Sequence, residues 1–545
     1  MLSWHLANFM NSFMESGTFP GILKIAKVTP IFKKGDPQIF DNYRPISILP
    51  IFGKIFEKLI YSRLYDFLVS QNVIYDKQFG FRKNHSTAHA VNYSIDNIVK
   101  NLEKKNHVIG IFIDLSKAFD TIDHEKLLTK LENCGIRGTS YDLIKDYMSN
   151  RIQYTDFHET FSEKCNIEFG VPQGSVLGPL LFLMYINDIT NASEDGHFVL
   201  FADDTNIFVV GKTEEEVYLK SNQVLTAVHD YMIKNQLHIN MTKSVYMHFR
   251  PGRYSSCARA REFGNEKHLK IANHTLMKVE KVKFLGVIID EELSWEHQVD
   301  HLREKLNSCI NIIKRIMKFI PKSEYHKLYD SLFKSHLSYC ISSWGGISSN
   351  KLSPIFLLQK RCVRLLFGKV PMSDHASYYE TCARSRTYTE HMAKKNYQLE
   401  NTKPIFNSEK ILSLHHLYIQ HTFIELFKIM KERIPYSLYE LYNLSPRISN
   451  LLICLPKFNL EITRQNFVYS SSLIWNKTIK NVLDTCTPHA NNIMVPGSSS
   501  NSDLSASISI IKHRLKSMLF QAQGIQTPGR VNEWMPENFY TFSTK

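Results

Sequence analysis

The strongest constraint on the fold is an apolar segment that ends abruptly at a carboxylate. Residues 108–113, with the sequence VIGIFI, are followed directly by Asp114. Because apolar and polar residues do not alternate, both faces of this segment must be buried, which is typical of a strand inside a sheet. The sequence therefore places the side chain of Asp114 at the end of a buried strand.

A second acidic centre is formed by the adjacent residues Asp203 and Asp204. The segments 198–201 and 206–210 predict two short strands joined by a tight turn that carries both acids. Carboxylates held close together are costly unless cations neutralise them, and Mg²⁺ prefers oxygen ligands of this kind. The pattern favours a site for divalent metal ions. The alternative is that the two acids form an ordinary turn and that Asp114 caps a helix.

Hydrophobic periodicity and the glycine and proline signals predict most of the other elements. Because strands alternate irregularly with helices, an α+β fold is favoured over a doubly wound sheet. The predicted elements are helices over 51–70, 87–104, 123–134 (closed by Gly135), 179–189 and 214–236, a hairpin of 153–157 and 165–169, strands over 244–249 and 284–289, a long helix from residue 294, and a helix from residue 351 whose basic face carries Lys360, Arg361 and Arg364.

Three motifs follow one another in the chain and resemble motifs A, B and C of a reverse transcriptase. They are Asp114 to Asp120 (DLSKAFD), Gly170 to Pro179 (GVPQGSVLGP) and Phe201 to Asp204 (FADD). Together with Tyr43–Ser47, Gln78–Arg82, Asn240–Ser244 and Phe284–Val287, they extend the resemblance over about residues 24–290. The chain resembles the polymerase of a non-LTR, LINE-type retrotransposon of the jockey-like kind.

This resemblance implies a fold and a domain order. The expected fold class is α+β, a right-hand polymerase fold of fingers, palm and thumb that is followed by a mainly helical C-terminal region. The expected domains are fingers with interleaved palm elements (1–110), a palm carrying motifs A to E (111–290), a thumb (291–350) and a basic, mainly helical C-terminal region (351–545).

The resemblance also implies the chemistry, which is addition of deoxynucleotides to a primer 3′-hydroxyl on an RNA template. Asp114, Asp203 and Asp204 would bind two Mg²⁺ ions, with Mn²⁺ as a possible substitute, and the carbonyl of Leu115 would also contact a metal. Lys243 would protonate the departing pyrophosphate, as general-acid catalysis requires. The alternative for Lys243 is an ordinary surface lysine.

Five further residues match positions that bind the incoming nucleotide. Lys34 and Arg44 would hold the triphosphate, with Lys33 as an alternative to Lys34. Phe119 would exclude a 2′-hydroxyl, although a lone phenylalanine is more often a core residue.

Gln173 and Gly174 would line the nucleotide pocket, where glycine lets the backbone approach a ligand closely.

The charge of the chain fits nucleic-acid partners. The net charge is +14, and residues 351–545 hold 24 lysines and arginines against 13 acids. Such an excess attracts a polyanion and releases counterions from it, although charge of this kind also serves solubility. The expected partners are an RNA template, a DNA primer or nicked target DNA, and dNTPs.

Other classes of protein are disfavoured by the sequence. Nine cysteines are scattered singly, without the pairs that a zinc site or a disulfide framework would show. No signal-peptide pattern begins the chain, and no apolar run reaches the roughly 18–20 residues of a membrane helix. We therefore expect no membrane partner and an intracellular location, in cytoplasm and nucleus, rather than secretion.

The N-terminal part is shorter than an element of this kind predicts, because an endonuclease would usually precede the polymerase. We therefore expect a truncated chain whose target DNA is nicked by another polypeptide. Truncation leaves open a catalytically inactive remnant that binds RNA. A group II intron-like maturase is a third possibility, although neither a maturase-type basic domain nor an HNH cluster is evident.

Overall fold

The computed structural model describes residues 2–251, 267–368, 402–432, 434–442, 453, 455, 461–484 and 501–525. The chain divides into two compact units. The first contains residues 1–86 and 104–279, and the second contains residues 87–103 and 280–545. The described part is a mixture of helices and strands, so the α+β prediction with a helical C-terminal region is confirmed.

The first unit contains fourteen strands in its described part. These are β1 (Ile25–Phe32), β2 (Tyr43–Ile48), β3 (His107–Ile113), β4 (Leu115–Ser116), β5 (Arg151–Phe157), β6 (Thr160–Phe161), β7 (Cys165–Ile167), β8 (Gly196–Phe201), β9 (Asp204–Gly211), β10 (His238–Ile239), β11 (Val245–Phe249), β12 (Lys270–Ile271), β13 (His274–Thr275) and β14 (Met277–Lys278). The second unit adds the hairpin of β15 (Lys281–Phe284) and β16 (Val287–Asp290).

The α-helices are distributed over both units. The first unit has α1 (Leu2–Ser16), α2 (Ile51–Ser70), α4 (His124–Asn133), α5 (Thr139–Met148), α6 (Gly178–Ile186) and α7 (Glu214–Lys234). The second has α3 (Thr87–Glu103), α8 (Glu296–Ile316), α9 (Tyr325–Leu328), α10 (Ser335–Ser338), α11 (Ile341–Trp344), α12 (Ser349–Phe367), α13 (Lys403–Ser408), α14 (Leu414–Glu432), α15 (Tyr436–Tyr439), α16 (Glu461–Gln465), α17 (Phe467–Asp484) and α18 (Asn501–Ile525). No described helix is long and apolar enough to span a membrane.

Strand β3 lies at the centre of the main sheet, whose order is β14-β11-β3-β9-β8. It pairs antiparallel with β9 on one side and with β11 on the other. Residues 108–113 are all buried, as the unbroken apolar sequence predicts. Helix α7 packs against β3 and β9. Strand β3 is thus hydrogen-bonded to a neighbouring strand on both sides, and Asp114 follows its carboxyl end.

A second sheet in the same unit has the order β2-β1-β5-β6, and β7 pairs with β5. Strands β1 and β2 form an antiparallel hairpin, whereas β1 and β5 are parallel. The pairing of β5 with β7 confirms the predicted hairpin.

Local signals explain the ends of the helices. Asp123 caps the N-terminus of α4, where its side chain accepts a hydrogen bond from the backbone N–H of Lys126 at 3.0 Å. Gly135 follows the helix with φ +92°, as a glycine cap requires. Helix α2 spans the predicted residues 51–70, with Phe56, Ile60, Leu64 and Leu68 buried at four-residue spacing.

Helix α3 differs from the sequence-based domain assignment, which grouped it with the fingers. Two of its buried polar residues, Asn92 and Asp96, have partners elsewhere in the second unit. Asn92 donates to Ser342 Oγ and to Glu425 Oε1, each at 3.2 Å. The carboxylate of Asp96 accepts a hydrogen bond from the backbone N–H of Val468 at 3.3 Å. Because buried polar groups require hydrogen-bond partners, these contacts fix α3 in the second unit.

The predicted basic face of helix α12 is only partly exposed. Lys360 is 3% exposed, and its Nζ lies 4.7 Å from the ring centre of Phe356. Arg364 is half-buried and donates from Nε to the carbonyl oxygen of Lys360 at 3.3 Å. Of the three basic residues, Arg361 alone is exposed. The aliphatic stem of Lys360 therefore contributes to packing.

The buried carboxyl group of Glu425 should make the stability of the second unit depend on pH. Burial raises the pKa of Glu425 to about 7. The folded state therefore keeps a proton that the unfolded state loses above about pH 4.5, so stability falls as pH rises from about 4.5 to 7. Glu425→Gln cannot titrate. Its free energy of unfolding relative to the wild type should increase by on the order of 2 kcal/mol between pH 5 and pH 8.

Denaturant unfolding of the full chain at both pH values measures this difference. Glu324→Gln is the control, because Glu324 forms an exposed pair with Lys327 on the surface. A Glu425→Gln effect that is equal at pH 5 and pH 8 would contradict the prediction.

Candidate active site

The two adjacent acids lie at the tip of the β8–β9 hairpin. Phe201 pairs with Asp204, which leaves Ala202 and Asp203 as a two-residue loop. Ala202 has φ +56°. Positive φ at the first loop residue is typical of tight hairpin turns and is usually supplied by glycine. An alanine in this conformation needs support from surrounding structure.

That support comes from residues 77–80. The buried side chain of Gln78 accepts hydrogen bonds through Oε1 from the backbone N–H groups of Ala202 at 3.1 Å and Gly80 at 2.8 Å. Phe79 N–H donates to the carbonyl of Leu200 at 2.8 Å. A Cβ on Gly80 would lie 2.2 Å from the Ala202 nitrogen, so this position requires glycine. The motif is visible in the sequence, but the role of Gln78 is not, because it depends on a contact with the distant Ala202.

Asp114 lies in the short break between β3 and β4. Its backbone carbonyl accepts from Asn240 N–H at 2.8 Å, and its N–H donates to Ser244 Oγ at 3.2 Å. Its Oδ2 lies 3.3 Å from Lys243 Nζ. The structure thus brings Lys243 to the first acid. Asp114 is not a helix cap, because strand β4, beginning at Leu115, follows it.

The three acids share one electrostatic environment. Burial raises the pKa of Asp203, and the charge of Asp114 raises it further. Removal of water from around the carboxyl of Asp204 raises its pKa to about 6, and the charges of Asp203 and Asp114 add to this effect. Repulsion of this kind is relieved when a cation binds.

The carboxylates of Asp114, Asp203 and Asp204 are of the type that binds a hard divalent cation, but they are not arranged around a single cation position. Among the described residues, no group of three or more His, Cys, Asp or Glu side chains has the geometry of a finished metal site. Asp114 is paired with Lys243 instead. Leu115, whose carbonyl is the predicted fourth ligand, is buried in β4 next to Asp114. Carboxylate and carbonyl oxygens are suited to Mg²⁺ or Mn²⁺.

The ring of Phe119 is held from two sides. It stacks on Phe182 of α6, with ring centres 4.6 Å apart and an interplanar angle of 29°. Phe81 meets it edge-on at 6.3 Å. Its backbone carbonyl accepts from Val171 N–H at 2.9 Å. The ring is only partly buried, so one part of it remains available to a ligand.

The predicted pocket residues Gln173 and Gly174 contact strand β2. The carbonyl of Gln173 accepts from Ser47 N–H at 2.8 Å, and its Nε2 donates to the carboxylate of Asp120 at 2.9 and 3.0 Å. Gly174 has φ +133°, and a Cβ there would lie 2.4 Å from the Ser47 carbonyl oxygen. Glycine is therefore required for the loop to approach β2.

Arg44 and the lysines near it are exposed at the loop end of the β1–β2 hairpin. The charges of Arg44 and Lys33 lower the pKa of Asp203 and oppose the effect of burial. The charge of Lys33 also opposes the effect of burial on the pKa of Asp120. Lys33 is thus electrostatically connected to the acids, while the role of Lys34 stays a prediction.

Arg82 lies in the same motif as Gln78 but binds the protein itself. Its Nη1 donates to the backbone carbonyls of Tyr75 at 2.9 Å and Gln78 at 3.2 Å. These hydrogen bonds hold the turn of residues 75–78 and so help to position Gln78.

Comparison with known proteins gives one family match. Residues 31–289 match the family model described as reverse transcriptase (RNA-dependent DNA polymerase). The chain is 26% identical over 368 residues to the probable RNA-directed DNA polymerase from transposon X-element of Drosophila melanogaster, which covers 66% of this chain and 39% of the relative. It is 27% identical over 376 residues to the RNA-directed DNA polymerase from mobile element jockey of the same species, covering 67% and 40%.

The chain therefore spans about two-fifths of the length of these relatives. Among solved structures, an apo telomerase from Candida tropicalis matches with a TM-score of 0.37 and 11% identity, covering 79% of this chain and 73% of that one. This structural likeness is too weak to support an inference.

Gly80→Ala tests the support of the hairpin. We expect it to lower the free energy of unfolding by about 1–3 kcal/mol, because the new Cβ collides with backbone that cannot move cheaply. Gly53→Ala is the control, since a Cβ there meets nothing nearer than 3.6 Å. In helix α2 that change should be neutral or stabilising by up to about 1 kcal/mol. Equal unfolding midpoints for the two variants in denaturant would contradict the assignment.

Proposed function

We propose that this chain is an RNA-directed DNA polymerase. The premise is that residues 31–289 form a reverse transcriptase domain of the non-LTR retrotransposon kind. The reaction is transfer of a deoxynucleotide from a dNTP to the 3′-hydroxyl of a DNA primer, or of nicked target DNA, on an RNA template. The division into fingers, palm, thumb and C-terminal region is part of this proposal.

The observation that carries the proposal is that Asp114, Asp203 and Asp204 share one electrostatic environment, in which the charge of Asp114 raises the pKa of both Asp203 and Asp204. In the proposed site these residues, with the Leu115 carbonyl, hold two Mg²⁺ or Mn²⁺ ions. Bound ions would stabilise charge on the reacting phosphate oxygens and activate the attacking hydroxyl.

The protein's own groups orient the substrates. Arg44 and Lys33, with Lys34 beside them, bind the triphosphate in the proposed complex, where a guanidinium can form two parallel hydrogen bonds to phosphate. Phe119 lies under the sugar, and Phe182 prevents its ring from moving away from a 2′-hydroxyl.

Lys243 supplies a proton to the leaving pyrophosphate. Its ammonium is held 3.3 Å from Asp114 and its side chain is 64% exposed, so it can reach a leaving group outside the protein core. A proton donated there neutralises the charge that develops as the phosphate bond breaks.

Asp203→Asn tests the metal-binding assignment. Loss of one carboxylate should reduce primer extension on RNA by about 10²–10³-fold, because electrostatic stabilisation of the transition state is lost. Binding of the RNA and primer, measured by fluorescence anisotropy, should change by less than about twofold, since a single charge contributes little to the phosphate contacts.

Asp195→Asn is the matched control, because Asp195 lies before β8 and pairs with Lys220 at 3.4 Å. Near-wild-type extension by Asp203→Asn would overturn the assignment. A wild-type chain that binds RNA without extending any primer would instead favour the inactive remnant.

Phe119→Val tests sugar selection. Removing the ring should raise the efficiency of ribonucleotide incorporation relative to deoxynucleotide by roughly tenfold or more, because the 2′-hydroxyl is no longer excluded. Phe119→Tyr, which keeps the ring, should leave that ratio close to wild type. Single-nucleotide incorporation with matched rNTP and dNTP measures it, and an unchanged ratio in Phe119→Val would remove Phe119 from the sugar site.

A further inference from the structure

A cavity of about 280 Å³ lies between α1, α2, α5 and the loop that follows α4. All four elements belong to the first unit. None of the residues that line the cavity belongs to the candidate active site, so the proposed polymerase chemistry does not use it. The buried and apolar part of its lining consists of Ile60, Leu64, Ile136, Leu143 and Ile144.

The mouth of the cavity is positively charged. Arg63, Arg137 and Ser140 line the cavity and are exposed to solvent. Nη1 of Arg63 donates to the sulfur of Met14 at 3.2 Å, and a thioether sulfur is a weak acceptor. Among the residues that the structure describes, no acid forms an ion pair with Arg63 or Arg137. Two guanidinium groups are thus available to a carboxylate, which arginine can bind through two parallel hydrogen bonds.

The size and the surroundings of the cavity favour a protein side chain as its occupant. Pockets for drug-sized ligands have volumes of roughly 300–1,000 Å³, so this smaller cavity suits one large apolar side chain. Phe67 lines the cavity and is 37% exposed, which extends the apolar surface beyond the mouth. Protein interfaces commonly place an apolar anchor in a pocket of this kind and surround it with a polar rim.

We propose that this cavity is a docking site for an acidic segment of a partner protein. The segment inserts one phenylalanine, leucine or methionine side chain into the apolar floor, and an adjacent aspartate or glutamate pairs with Arg63 and Arg137. A basic segment is excluded, because the two arginines repel it. A nucleic-acid backbone would meet the charge and leave the apolar floor unfilled. The site therefore serves a protein partner, in addition to the proposed RNA and DNA partners.

Binding of fluorescein-labelled peptides to the full-length chain tests the proposal by fluorescence anisotropy. The probe is a peptide with one phenylalanine between two pairs of glutamates. It should bind roughly tenfold or more tightly than the same peptide with alanine at the centre, because the ring is no longer buried. It should also bind roughly tenfold or more tightly than a peptide with lysines in place of the glutamates. Equal binding of the three peptides, or no binding up to about 1 mM, would overturn the proposal.

Charge reversal at the mouth connects the peptide to the cavity. Arg137→Glu should weaken binding of the glutamate probe by roughly tenfold and should strengthen binding of the lysine peptide. Ser140→Trp, which fills the mouth, should weaken the probe by a similar factor without changing the charge. Lys145→Glu is the matched control, because Lys145 is an exposed residue of α5 that does not line the cavity. Equal losses in Arg137→Glu and Lys145→Glu would show a general attraction between charges and would contradict docking in the cavity.

Competition experiments distinguish a protein segment from other occupants. 3-Phenylpropionate has a ring and a carboxylate but no peptide backbone, and it should displace the probe roughly tenfold less well than the unlabelled peptide does. Equal competition would mean that the site takes a small free acid. An RNA oligonucleotide that displaces the probe as well as the unlabelled peptide would mean a nucleic-acid surface. Either result would overturn the proposal.

Discussion

The antiparallel register between β3 and β9 is the constraint on which the candidate site depends. Ile113 pairs with Thr205, so the last residue of β3 lies beside the first residues of β9. Asp114 follows Ile113 directly, and Asp204 directly precedes Thr205, so both acids adjoin this pair. A shift by one residue would turn every side chain of the strand to the other face of the sheet. The register therefore sets Asp114 beside the acidic turn at the end of β3.

Close backbone contacts assemble the rest of the site around that sheet. Gly80 packs on the hairpin loop at Ala202, and Gly174 packs on β2 at Ser47. In both places the neighbouring atom belongs to the main chain, so a side chain cannot be accommodated by rotation. The loop at Gly174 and the acidic turn thus gain rigidity from contacts between backbones, and in the proposed active site this rigidity would be the preorganisation that catalysis requires.

The sequence predicted features that depend on local pattern. It was less informative about features that depend on contacts between residues far apart in the chain. Helix α2, the cap of α4 and the acidic hairpin follow from periodicity, a capping aspartate and turn residues. The charge of Lys33 acts on Asp203, which no local pattern in the sequence reveals. The role of Arg82 was hidden for the same reason, because its acceptors are backbone carbonyls.

Helix α3 links the order of synthesis to the order of folding. It is made before β3, yet the partners of its buried polar groups, among them Ser342, Glu425 and Val468, are made hundreds of residues later. Until then Asn92 and Asp96 must stay in water or be bound by a chaperone, since burying them unpaired is costly. The first unit, by contrast, has its complete sheet once residue 279 has been made. A nascent chain can thus contain the complete main sheet while helix α3 still lacks the partners of its buried polar groups.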